Sequence, residues 1–382
     1  MAHAYTPGLK VIEKTVLQKK RILPLPGNVL VKKGDIVKYD KVVAETELPG
    51  KVHPINIINK LGISPGRLNE YMLKKQGDSV EKDEPIAESK PWLKFMKVTC
   101  ASPIKGTVEN ISTITGQILL RGEPNPVQIK AHVNGKVIDT IENEGVIIET
   151  TATLIQGIFG IGGETTGELY AAAKNPDTVL TEPDINEIMR DKIVVAGAFI
   201  DYETLKRLIG IRARGIIVGG FDDGVLRKIL GYDIGVAITG TESIGITIII
   251  TEGFGKIKIA QKTFDLLKSR SGEMASINGA TQIRAGVVRP EIIIPYTDEI
   301  AGSDDLSVSH DNVKQNNYSS LKVGDTIRII RNPNFGRIGK VNGLPSDPQV
   351  IETGSKMRIL EVKFPDGSVS IVPRANIEAI EQ

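Results

Sequence analysis

The feature of this sequence that most constrains its fold is a segment that occurs twice near the N-terminus. "LVKKGDIVKYDKVVAE" (30–45) and "LKKQGDSVEKDEPIAE" (73–88), aligned at an offset of 43, agree at eight of sixteen positions. Each copy consists of an apolar segment, a Gly-Asp turn, a valine, a polar pair and a second apolar segment. Glycine adopts the positive φ angles of tight turns at little cost, and aspartate hydrogen-bonds the turn backbone. The repeat therefore predicts β-hairpins.

A Gly-x-Val signal follows in "LPGKVHPI", "ASPIKGTVENI" and "AHVNGKVIDTIENEGVIIET". With these segments the repeat resembles the half-motifs of barrel-sandwich hybrid domains. That fold is shared by biotinyl and lipoyl carriers, by the N-terminal module of the Rnf electron-transfer C subunit and by parts of multisubunit RNA polymerase. The resemblance covers roughly residues 20–165, and we expect residues 1–168 to form this β domain.

The carrier families modify a lysine at an exposed hairpin tip. If this chain shares that role, the candidate lysines are Lys97 in "FMKVTCASPIKG" and Lys90 in "AESKPW". The alternative is an unmodified structural barrel.

A glycine-rich segment, "LIQGIFGIGGETTGELYAAA", follows the repeat and holds Gly157, Gly160, Gly162, Gly163 and Gly167. Exposed amides in such loops can cradle phosphate. Close backbone packing between two domains is the other interpretation. The spacing matches neither the dinucleotide fingerprint nor a P-loop.

Residues 169–300 alternate between apolar strands and amphipathic helices. "KIVVAGAFI", "GIIVGGF" and "GITIIITEGFG" predict strands, and the segments between them predict helices. This alternation is typical of a mostly parallel sheet with helices against it. Asp201 and Asp222 directly follow strands, so we expect them to cap helices.

The carboxyl ends of these strands form a candidate ligand site, because open α/β sheets bind ligands there. Carboxylates, an arginine and bare glycine amides could hold a phosphorylated metabolite or Mg²⁺. The candidate residues are Asp222, Asp223, Glu252, Asn278, Thr281, Gln282 and Arg284.

A polar segment, "AGSDDLSVSHDNVKQNNYSS", has the composition of a linker and places a domain boundary at 301–318. Beyond it, residues 319–382 contain short alternating strands joined by turns such as "PDGS". Five short strands in so few residues predict an SH3-like barrel.

This C-terminal segment resembles the KOW module of transcription elongation factors and several ribosomal proteins. The matched positions are Gly324, Asp325, Ile327 to Ile329, Pro333, Gly336, Gly339 and Val341, with Val372, Pro373, Asn376, Ile377 and Glu378 at the end. In that family the loops that hold the motif contact RNA, ribosomal proteins or polymerase. Carried over by position, the contact residues are Arg328, Arg331, Asn334, Phe335, Arg337 and Lys340. Arginine and lysine would meet phosphates, and the phenylalanine would stack on a base.

The composition limits the other functions. The formal net charge is +2, so any nucleic-acid affinity must be local. One cysteine, Cys100, and four scattered histidines exclude a disulfide framework and make a transition-metal site improbable. No apolar run is long enough to cross a membrane. No nucleophile paired with a base is visible, so we assign no catalytic residue and expect no cofactor.

The sequence thus predicts a multidomain chain of mixed α/β and all-β classes. The leading hypothesis is a non-enzymatic, cytoplasmic adaptor that docks on RNA, a ribonucleoprotein or the transcription machinery through its KOW-like barrel. The rival is an α/β ligand-binding protein or enzyme with its site around Glu252 and residues 278–286. Self-association is compatible with both hypotheses.

Overall fold

The chain is rich in β-structure. A computed structural model describes residues 9–90, 97–231, 242–281, 288–296, 321–329, 334, 336–345, 347–350 and 356–379. Within these ranges the helices are short, and none is long and apolar enough to span a membrane.

The N-terminal part contains thirteen strands and two short helices within the described residues. The strands are β1 (Val11–Ile22), β2 (Asn28–Val29), β3 (Ile36–Val37), β4 (Val42–Leu48), β5 (Val52–Asn56), β6 (Ser79–Val80), β7 (Pro85–Glu88), β8 (Thr99–Ala101), β9 (Gly106–Ser112), β10 (Gln117–Gly122), β11 (Asn125–Lys130), β12 (Gly135–Ile141) and β13 (Gly145–Gln156). The helices are α1 (Ile57–Leu61) and α2 (Leu68–Tyr71).

The second repeat copy is nested inside the unit that the first copy builds. The first copy supplies β3 and β4, which pair with β12 and β11 from beyond the second copy. The residues from β5 to β10 form their own apolar core around Ile57, Leu68 and Ile118. The chain enters this inner unit at Gly50 and leaves it at Gly122. The two backbones are in direct contact there, because a Cβ atom on Gly50 would overlap the carbonyl oxygen of Gly122.

Among its described residues, the central part adds seven strands and three helices. They are β14 (Phe159–Ile161), β15 (Glu164–Ala171), β16 (Lys192–Val195), α3 (Tyr202–Gly210), β17 (Gly215–Phe221), α4 (Asp223–Leu230), β18 (Thr247–Phe254), α5 (Gln261–Ser269), β19 (Met274–Asn278) and β20 (Glu291–Pro295). Helices α3 and α4 pack against one face of the sheet and α5 against the other. Asp201 and Asp222 cap α3 and α4, as predicted.

The central sheet is mixed, whereas the sequence predicted a mostly parallel one. Parallel pairing joins β15 to β16, β16 to β17 and β17 to β18. Antiparallel strands β19 and β20 then connect β15 to β13. Because the twelve-residue β13 pairs with β12 over its first half and with β20 over its second, the N-terminal and central strands share one eleven-stranded sheet within the described residues.

The glycine-rich segment lies where backbones approach closely. A Cβ atom on Gly157 would come within 2.8 Å of the Ile250 carbonyl oxygen, and one on Gly160 within 2.8 Å of Gly279. The amide of Gly160 donates to the Thr281 hydroxyl at 2.9 Å. The segment therefore packs closely on neighbouring backbone, as one interpretation expected, but within the central sheet and not between two domains.

The described residues of the C-terminal part form a five-stranded antiparallel sheet in the order β26–β25–β22–β21–β27 and a separate two-stranded ladder of β23 and β24. The strands are β21 (Thr326–Ile329), β22 (Ile338–Gly343), β23 (Gln349–Val350), β24 (Lys356–Met357), β25 (Ile359–Lys363), β26 (Val369–Pro373) and β27 (Ile377–Ala379). The side chains of Ile327, Val341, Leu360 and Val362 share its buried core. We refer to this unit as the C-terminal barrel, after the fold that the sequence predicts; within the described residues its strand order is open, with β26 and β27 at the two ends.

One hydrogen-bonded turn, which we call the clasp, occurs three times in the part of the chain that the structure describes. In each clasp a Lys-x-Gly-Asp turn exchanges two backbone hydrogen bonds with a distant valine, and the aspartate carboxylate accepts from the backbone N–H of the lysine. All of these donor–acceptor distances lie between 2.7 and 2.9 Å. The clasps are residues 32–35 with Val137, residues 75–78 with Val108 and residues 322–325 with Val341.

Each valine of a clasp belongs to one of the Gly-x-Val segments. The Gly-Asp and Gly-x-Val signals are therefore the two halves of one backbone contact, which in the N-terminal part joins strands that are distant in the sequence. Since the same contact serves the N-terminal repeat and the C-terminal barrel, these residues specify fold in both places.

Candidate nucleic-acid interface

The C-terminal barrel has an inner and an outer face, because side chains alternate along each strand. On β21, Ile327 and Ile329 point into the core, and Thr326 and Arg328 lie on the outer face. Strand pairing continues the outer face from Thr326 to Lys340 on β22 and then to Lys363 on β25.

The outer face presents two lysines side by side. Lys340 and Lys363 are directly opposite residues of neighbouring antiparallel strands, and both are exposed. Within the described residues neither makes an ion pair. Opposite Lys363 on the other side lies Val369 of edge strand β26. The Val369 side chain is 54% exposed, and that of Ile371, two residues further along the same strand, is 59% exposed.

Arg337 lies next to this group of residues but is held within the barrel. Its guanidinium stacks on the Phe364 ring at 3.6 Å, pairs with Asp366 at 2.7 Å and reaches the Asn334 side chain at 3.2 Å. Hydrogen bonds from Ser368, together with Arg337, lower the pKa of Asp366 below its usual value. The ion pair is therefore present at neutral pH, and the arginine is 38% exposed.

Arg328 occupies the other end of the outer face and is buried, at 2% exposure. Its guanidinium pairs with Glu252 of β18 at 3.0 Å and with Glu378 of β27 at 3.4 Å. Arg289, just before β20, also pairs with Glu378, at 3.3 Å. The central sheet thus covers this end of the outer face, and Arg328 cannot meet RNA in this arrangement.

The contact between barrel and central sheet extends to the backbone. A Cβ atom on Gly253 of β18 would overlap the Gly336 carbonyl oxygen, and one on Gly336 would overlap the Phe254 ring. The carboxyl end of β18 is therefore covered by Gly336, which lies between β21 and β22. We call this contact the joint.

The remaining residues of the proposed contact face have different positions. Asn334 is partly exposed, and its amide donates to the Ser370 hydroxyl at 3.4 Å. Arg331 and Phe335 lie outside the described residues.

The residues of the rival ligand site have structural partners. The Glu252 carboxylate accepts from Ala260 N at 3.0 Å besides pairing with Arg328. Asp222 accepts from Gly224 N at 2.6 Å, Asn278 accepts from Ala280 N at 2.8 Å, and Thr281 bonds to Gly160. Asp223 begins α4, but its side chain falls outside the described part, as do Gln282 and Arg284.

The two carrier candidates lie near the ends of β7 and β8. Lys97 pairs with Glu88 at 2.5 Å and is 47% exposed, and Lys90 is exposed. Their hairpin is closed by Ser89, which exchanges hydrogen bonds with the backbone of Val98. Among the described residues, no group of three or more His, Cys, Asp or Glu side chains could hold a metal ion.

Sequence reasoning missed Lys363 and Arg289, and it matched Glu378 to the KOW pattern without predicting that its carboxylate forms ion pairs. Lys363 could have been found by continuing the alternation of β25 and pairing it with β22. The ion pairs of Arg289 and Glu378 depend on how the barrel meets the central sheet, which no local pattern encodes.

Comparisons with known proteins give no family for this chain. No protein-family model matches it, and no curated protein has a similar sequence.

Proposed function

We propose that this chain is a non-enzymatic RNA-binding adaptor whose C-terminal barrel contacts the RNA backbone. In this proposal the C-terminal barrel is a KOW-type module and the clasped N-terminal sheets are a barrel-sandwich hybrid. The KOW-like spacing of residues 324–341 and the shared clasp geometry support these assignments.

The observation that carries the proposal is the pairing of Lys340 with Lys363. Like charges directly opposite each other on neighbouring strands are destabilising. Both lysines are exposed, and within the described residues no carboxylate neutralises them. A phosphate group placed between them would relieve this repulsion, and lysine is a common phosphate ligand.

The surroundings of the lysine pair fit a nucleic acid. Arg337 adds a cation at its margin, and Val369 and Ile371 add exposed apolar surface against which a base or ribose can pack. Contacts of this kind favour the nucleic-acid backbone without reading a sequence. The rival ligand site has no comparable support, since the described side chains in that set hold the fold together.

The test measures both the free energy of unfolding and the affinity for RNA in one variant. In Lys363→Glu the repulsive pair becomes a cross-strand ion pair, so the free energy of unfolding should rise by about 0.2–1 kcal/mol. Affinity for a fluorescent single-stranded RNA should fall at least about tenfold, because a carboxylate then faces phosphate. Lys206→Glu, at an exposed position of α3 in the central part, is the charge-matched control.

Binding should also weaken as salt concentration rises, with a shallower dependence in the variant. RNA affinity of Lys363→Glu equal to that of the wild type, with a correctly folded barrel, would remove the basis for the proposal.

A further inference from the structure

A second group of lysines lies beside the joint, on the central part of the chain. Lys256 and Lys258 are on the loop after β18, and Lys262 is in the first turn of α5. All three are exposed, and within the described residues none forms an ion pair. None of them belongs to a motif that the sequence singled out.

We propose that an RNA strand bound on the C-terminal barrel extends across the joint and contacts Lys256, Lys258 and Lys262. This extension rests on the proposed function and adds a second set of phosphate contacts to it. The partner is the same, a single-stranded RNA long enough to reach both groups.

The joint places Arg337, at the margin of the barrel lysines, close along the chain to the loop that carries Lys256. Gly253 touches Gly336 of the barrel, and Lys256 follows Gly253 by three residues. Arg337 follows Gly336 directly, so a strand of RNA that leaves Arg337 along this side meets the loop with Lys256 first. The loop itself is fixed, because Gly255 N donates to Phe221 O at 2.9 Å and Ile259 N donates to Pro176 O at 3.2 Å.

The local charge is positive after its acidic neighbours are counted. From Lys256 to Arg270 the sequence carries five basic residues and one acidic residue, Asp265. Asp265 accepts a hydrogen bond from Gln261 at 2.9 Å. The Glu252 carboxylate accepts from Ala260 N between these lysines, but Arg328 pairs with it. Arg270 pairs with Glu273 just beyond this segment. Asp222, next to Phe221, and the exposed Asp177 lie beside the residues that these backbone contacts join, and Asp222 already accepts from Gly224 N. These carboxylates reduce the positive charge around the three lysines, but the net charge there stays positive.

The buried ion pairs explain why the two groups would act together. Arg328, Glu252 and Glu378 hold the barrel on the carboxyl end of β18, so the distance between the lysine groups is fixed before RNA binds. Two sites held in a fixed relation bind a long ligand more tightly than either site alone, because the second contact is intramolecular.

The experiment uses full-length protein and two fluorescent oligouridylates, one of about 6 and one of about 20 nucleotides, lengths that span the site sizes of single-strand binders. The variant is Lys256→Ala with Lys258→Ala. We expect its affinity for the longer RNA to fall about tenfold, and the salt dependence to lose a slope of about 1.4, or about 0.7 per phosphate contact on a single strand. Its affinity for the shorter RNA should change less than about twofold, because the barrel alone binds that RNA.

Two comparisons separate this inference from the proposed function. Lys340→Ala with Lys363→Ala should weaken binding of both RNAs, and Lys206→Ala with Lys228→Ala, on the opposite face of the sheet, should change neither. If the barrel variant weakens binding and Lys256→Ala with Lys258→Ala binds the longer RNA like the wild type, the extension is wrong and the proposed function stands. If the wild type binds neither RNA, both are wrong.

Discussion

The guanidinium of Arg328 lies 3.0 Å from the carboxylate of Glu252, although 76 residues separate them in the sequence. Glu378 closes the other side of the same guanidinium, and both partners are almost completely buried. A buried ion pair costs desolvation on both sides, so its main consequence is that neither partner can be removed alone. The pair therefore holds the barrel against the central sheet, and we call it the lock.

Arg328→Met should destabilise the docked barrel by about 3–5 kcal/mol, because it leaves buried carboxylates without a counter-charge. Glu252→Gln combined with Arg328→Met should recover part of that loss. Urea unfolding monitored by circular dichroism measures both. A loss below about 1 kcal/mol in the single variant would mean that water reaches the carboxylates and that the lock is weak.

Gly253→Ala should loosen the joint, since its new methyl group would overlap the carbonyl oxygen of Gly336. Overpacking of this kind costs about 1–3 kcal/mol. Gly210→Ala is the matched control, because a Cβ atom there meets nothing within 4 Å and alanine favours the helix by up to about 1 kcal/mol. Equal stabilities of the two variants would show that the barrel does not rest on Gly253.

The three clasps should respond alike to the same substitution. Asp35→Ala, Asp78→Ala and Asp325→Ala each remove one turn hydrogen bond and should cost about 1 kcal/mol. The corresponding asparagine variants keep an acceptor oxygen and should cost less. Thermal or urea unfolding of the six variants tests this, and a loss in only one clasp would argue against a common function of the turn.

Acid should destabilise the protein through His132. Burial lowers the pKa of His132 from 6.5 to about 4. Between these values the unfolded chain binds a proton that the folded chain does not, so stability is complete above pH 6.5 and falls as the pH drops towards 4. The full effect is up to roughly 3 kcal/mol.

His132→Asn tests that dependence, because asparagine tolerates the positive φ of 68° at this position. Urea unfolding at several values between pH 7 and pH 4 should show the variant losing less stability than the wild type over this range. Parallel curves would contradict the assignment to His132.

Local patterns in the sequence predicted several parts of the structure. The repeat predicted the Gly-Asp turns, which are present, but the hairpins expected around them were wrong, because β3 pairs with β12 and β6 with β9 instead of with their sequence neighbours. The C-terminal alternation predicted β21, β22, β25 and β26. The helix caps at Asp201 and Asp222 followed from their place after a strand. These features are local because each depends on residues within a few positions or on one paired strand.

The sequence by itself determined which residues share a face, and the tertiary structure decided which face is covered. Alternation along β21 places Arg328 on the side opposite Ile327, where the pattern favours contact with solvent or RNA. That side is buried because the central sheet lies against it, through Glu252 and the backbone of Gly253. Burial by a distant part of the chain leaves no local periodicity, so a buried lock and an exposed binding residue looked alike in the sequence.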